Sequence, residues 1–73
     1  MADEEIVKEI RNMNGKKTDF KGADLEGADL EGLDLMNADL RGANLKDVNL
    51  KDVNLRGADL EWVDFSSADL GLG

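Results

Sequence analysis

The sequence predicts an all-β solenoid of short stacked coils, closed at its N-terminal end by one short α-helix. Three observations carry this reading. A leucine or phenylalanine returns at every fifth position from residue 20 to residue 70. The residue two before it is small or apolar, and the residue between the two is always Asp or Asn. The first thirteen residues follow a different, helical spacing of apolar groups.

The helix comes first along the chain. In "DEEIVKEIRNMNG", Asp3 is placed to cap the N-terminus, Glu4 and Glu5 fill the first turn, Arg11 sits late, and Gly15 is suited to the C′ position. Ile6, Val7, Ile10 and Met13 share one face. That stripe is expected to cover the first coil around Thr18, Phe20 and Ala23. A membrane-surface role suits it poorly, because residues 1–17 hold four acids and four bases and such helices are rich in Lys and Arg. Residues 1–17 are therefore read as a capping helix and linker, and residues 18–73 as the repeat body.

Within the repeat body the register runs through Phe20, Leu25, Leu30, Leu35, Leu40, Leu45, Leu50, Leu55, Leu60, Phe65 and Leu70. A helix would rotate each of these by about 140° from the last and form no apolar face. The glycines at 22, 27, 32, 42 and 57 would each cost about 1 kcal/mol in a helix interior. A continuous strand fails too, because an odd period sends successive leucines to opposite faces. One path satisfies every position: three extended residues whose first and third point inward, then a two-residue corner. Gly, Asn and Asp recur at the corners, where positive φ or local backbone bonding is needed. Stacked about 4.8 Å apart, such coils pair their backbones with the coils above and below, and the register residues form the core.

The units "ADLEGADLEG" and "ADLRGANLKD" resemble the A(D/N)LXX unit of the pentapeptide-repeat proteins, over residues 18 to 72. The resemblance implies a right-handed quadrilateral β-helix with twenty residues per coil, hence about 2.75 coils here. Spacing alone leaves the number of sides open: corner charges compared 15 or 20 residues apart each give three opposite pairs and one like pair. On four sides, Glu26 would lie under Lys46, Glu31 under Lys51 and Arg41 under Glu61, as exposed ion pairs. Asn44, Asn49 and Asn54 would then dilute three outward Asp columns, leaving Asp19, Asp39 and Asp59 as the most acidic.

Charge and composition narrow the function. Net charge is −8, and residues 18–73 carry all of the excess, with 13 acids against 5 bases. Phosphate backbones and anionic membranes are recognised by Lys and Arg clusters, so no direct nucleic-acid binding and no membrane binding are expected. Proteins with a basic surface remain as partners. There is no Cys or His, and Thr18, Ser66 and Ser67 have no base beside them, so no catalytic constellation and no cofactor are expected. Outward carboxylates on a flat face diverge, which disfavours a metal site. The start "MADEEIVKEI" lacks a secretory signal, and nothing approaches the roughly 18 apolar residues of a membrane span. A soluble cytoplasmic location is expected.

The C-terminal stretch "EWVDFSSADLGLG" has no capping helix. Because pentapeptide-repeat proteins commonly dimerise through this end, the resemblance implies a homodimer through the last coil, with Trp62, Phe65, Leu70 and Leu72 at its interface. The function expected is a non-enzymatic structural or protein–protein interaction module. The alternative implied by the resemblance is a DNA mimic that binds or inhibits DNA gyrase. Acidity favours the mimic and length opposes it: a dimer would span ~26 Å, about 8 base pairs.

Overall fold

A computed structural model describes residues 2–13, with only the backbone of Met13, and residues 18–71. The Met13 side chain, Gly15, the 14–17 linker and Leu72 lie outside the described residues.

Backbone donors explain the fold, and the unit 38–42 shows how. The Ala38 N–H donates to the Leu35 carbonyl (3.1 Å) and closes a turn. The Asp39 N–H donates backward to Thr18, while the Leu40 and Gly42 N–H groups donate forward to Asp59 (3.0 Å) and Glu61 (2.9 Å). The remaining donor, Arg41 N–H, is taken by Asp39 Oδ1 at 3.2 Å. All five N–H groups of the unit are thus paired without water, as buried backbone requires.

Repetition of this scheme brings the chain back onto itself every twenty residues. Seven parallel bridges join residues twenty apart, in columns 19–39–59, 24–44–64, 29–49–69 and 34–54. No strand longer than a single bridge occurs among the described residues. The extended sides are this short because two residues of every five lie in a turn.

The turns impose the second regularity. Each is closed by a bond from the residue after the corner to the one before it, as from Ala23 to Phe20 (3.0 Å) and Val63 to Leu60 (3.2 Å). The second corner residue is left-handed whatever its identity: φ is +71° at Gly22, +62° at Asn37 and +65° at Trp62. Positive φ at this position is what a type II turn requires.

Inside the coils, Phe20, Leu25, Leu30, Leu35, Leu40, Leu45 and Leu50 are buried, along with Ala23, Ala28, Ala38, Ala43 and Val48. Burial declines toward the last coil. Leu55, Leu60 and Phe65 are half-buried against the core. Leu70, expected to point inward as core, is instead 45 % exposed, because no later coil covers it among the described residues.

The opposite end is covered by helix α1, Glu4–Met13. Asp3 caps it, accepting the Glu5 N–H at Oδ1 (3.0 Å), and its carbonyl receives the Val7 N–H (3.1 Å). Ile10 is buried, and Ile6 and Val7 pack against the core. The helix segment also supplies the donors that a preceding coil would supply. Asp3 N–H donates to the Asp24 carbonyl at 2.7 Å, and Arg11 Nη2 to the Asp29 carbonyl at 2.8 Å.

Candidate functional site

The body presents regular outward surfaces, of which the Asp/Asn ladder comes first. Every ladder residue from Asp19 to Asp69 accepts, through Oδ1, the N–H of the residue two positions on, for example Lys46 to Asn44 (3.0 Å) and Gly71 to Asp69 (2.9 Å). Asp and Asn hold such turns well because their short side chains reach the nearby backbone. This role was missed when the ladder was read only as an outward charge column. Its signal was the strict Asp/Asn restriction three residues before each positive-φ corner.

Between coils the ladder residues bond one another. Asn49 Nδ2 donates to Asp29 Oδ1 (3.2 Å) and Glu31 Oε1 (3.4 Å), and Asn44 Nδ2 donates to Glu26 Oε1 (3.3 Å). The expected corner rungs Glu26–Lys46, Glu31–Lys51 and Arg41–Glu61 are absent from the ion pairs of the described residues. Asparagine amides reach Glu26 and Glu31 instead, while Lys51 lies 4.0 Å from Asp69. Carboxylates of the ladder compete successfully because they stand beside the corner that carries the base.

Arg41 shows this competition most clearly. Its Nε and Nη2 donate to the two oxygens of Asp39 at 2.9 and 2.8 Å, and Nε lies 3.7 Å from Asp59 Oδ2. In the column expected to be most acidic, 19–39–59, one guanidinium thus lies against two of the three carboxylates, Asp39 and Asp59. That hydrogen bond lowers Asp39 from its ordinary 3.8 to about 2 and raises Arg41. Asp64 also lies below the carboxylate range, chiefly because the Ser66 hydroxyl donates to it (2.6 Å).

Shallow grooves also mark the surface of the described residues, two of them beside the features above. One lies between helix α1 and the first coils, with Ala2, Val7, Lys8, Arg11 and Ala28 along it. The other runs beside a single corner column and is lined by Lys21, Arg41, Gly42, Glu61 and Trp62. Trp62 is 82 % exposed. Of the residues expected at an interface, Trp62 thus faces a lateral corner, Phe65 packs on the core and Leu70 stands exposed on the last coil.

Comparison with known families decides what the repeats are. The family model described as pentapeptide repeats matches eight copies, over residues 11–32 and 34–71. The chain belongs to the pentapeptide-repeat family. Residue 33, which the pentapeptide-repeat match skips, is Leu33, where most repeats have Ala. No curated protein matches the chain. No described helix is long and apolar enough to cross a membrane, and among the described residues no group of three or more acidic side chains converges as a metal site would.

Proposed function

We propose that this pentapeptide-repeat chain is a non-enzymatic protein-interaction module: a right-handed, four-sided β-helix over residues 18–73, capped by residues 1–17, acting in the cytoplasm on partners with basic surfaces. The observation that supports it best is the coil-to-coil pairing of backbone donors as far as Leu50, which leaves rigid faces of outward carboxylates at fixed spacing. With a net charge of −8, such faces attract cations and steer basic partners. A second copy meets the last coil, where the Leu55, Leu60 and Phe65 N–H groups find no carbonyl among the described residues. Phe65, Leu70 and Leu72 form the centre of that contact, with Trp62 at its margin. Capture of partners from cell extract on the wild-type chain, with loss when Asp29 and Asp69 become Asn, tests the module. Sedimentation as a monomer at tens of micromolar would overturn the dimer.

The acidity also favours a DNA-mimic reading directed at gyrase, but size works against it. One chain measures 28 × 22 × 22 Å, cap included, so its longest dimension covers roughly eight base pairs at about 3.4 Å each. Two copies end to end cover about twice that, more than the ~26 Å expected from coil stacking alone but still a short duplex. Titration in a supercoiling assay at low salt separates the two, and the interaction-module reading expects no inhibition.

A further inference from the structure

Trp62 occupies a position that the fold makes costly for it. The same corner carries Gly22 and Gly42 in the preceding coils, and only glycine adopts a φ near +65° without strain. A bulky side chain at positive φ is a backbone outlier, held here by the turn that every such corner shares, so the fold alone gives no reason for a Trp at this corner. The ring is also spread on the surface, 82 % exposed. With glycine at 42, no side chain at that position fills the groove it shares with Lys21, Arg41 and Glu61.

Charge around the ring indicates what it meets. Arg41 is already committed to Asp39 and Asp59, so its cation is locally neutralised. Glu61 borders the groove, and Asp59 and Asp64 flank the same corner in the chain. Lys21 is the one lysine along the groove. An exposed indole face on a body of net charge −8, with the Glu61 carboxylate beside it, attracts a guanidinium or ammonium by cation–π contact and by ion pairing together.

We propose that the Trp62 corner is the docking point for a basic segment of a partner protein, a Lys or Arg side chain of which stacks on the indole while a neighbouring base meets Glu61. This rests on the interaction-module reading and adds the face and the chemistry of the contact.

A short peptide rich in Lys and Arg and free of aromatic residues serves as the probe, with a Glu-rich peptide of equal length as control. Trp62 is the only Trp, and there is no Tyr, so its emission reports the corner alone, and backbone amide shifts map the rest. The basic peptide is expected to change Trp62 emission saturably and to shift the amides of Arg41, Gly42, Glu61 and Trp62. Trp62→Gly is expected to weaken binding roughly three- to tenfold without loss of folding, and Glu61→Gln to weaken it as well. Equal binding by Trp62→Gly, or preference for the Glu-rich peptide, overturns the proposal. Emission that changes with protein concentration but not with added basic peptide also overturns it, by assigning Trp62 to contact between copies alone. Shifts confined to the Asp29, Asn49 and Asp69 column overturn this corner and leave the module reading standing, whereas no shift anywhere overturns both.

Discussion

Asn49 donates its side-chain amide to Asp29, one coil earlier, at 3.2 Å. In the same stacked column Asp69 follows Asn49, so the amide stands between two carboxylates where an Asp would make three in a stack. Asn49→Asp should lower stability by about 0.2–1 kcal/mol, because it replaces a donor with a stacked like charge. Part of the loss should return at high salt. Urea unfolding at low and high ionic strength checks this, and unchanged midpoints at low salt would count against it.

Leu45 is fully enclosed and lies in the middle coil, with packed residues before and after it. Leu45→Ala should cost about 2–5 kcal/mol. A core of this size rarely supplies more than about 3–5 kcal/mol, so the variant is expected to be largely unfolded at room temperature. Circular dichroism and amide-shift dispersion measure the outcome.

Trp62 and Gly27 form a mirrored pair of tests at the same turn position. Trp62→Gly should stabilise by up to about 1 kcal/mol, the relief of roughly 1–2 kcal/mol of left-handed strain being offset by glycine's greater freedom when unfolded. Gly27→Ala should destabilise by about 1 kcal/mol. A Cβ there meets nothing within 4 Å while φ is +72°, so the loss would come from the backbone and not from a clash. Thermal melts of both variants give the signs.

Asp39 provides the pH dependence. Its carboxyl is held at about 2 against an ordinary 3.8, so the stability it contributes is fully present above 3.8 and is lost as the pH falls through about 2. Arg41→Met should remove the depression and flatten the acid limb of the stability curve in that window. Urea midpoints followed from mildly acidic to strongly acidic pH distinguish the two chains.

Much of this architecture was legible residue by residue. The five-residue register marked Leu25 through Leu50 as inward, the corner glycines marked the turns, and the Asp3, Ile6, Val7 and Ile10 pattern marked the helix that covers the first coil. The ladder was visible as a rule of composition, but its work was not. Whether Asp24 or Asn44 bonds its own turn, a neighbouring coil or water is invisible until the backbone path is known. The corner rungs were misjudged for the same reason, since charge signs in a column say nothing of the nearer Asp39 and Asp59 carboxylates that hold Arg41.

What the sequence by itself determined was what is set within about five residues: which side chains turn inward and where the corners need positive φ. Alternation and turn chemistry are local, so they survive without knowledge of the fold. Only the tertiary structure decided that residue 39 lies between 19 and 59, that Leu70 is exposed, and that Trp62 lies along a corner with Lys21 and Gly42. The return distance depends on how sharply successive corners bend and on which carbonyls a coil finds above and below it. That is a sum over the whole path, and no single repeat contains it.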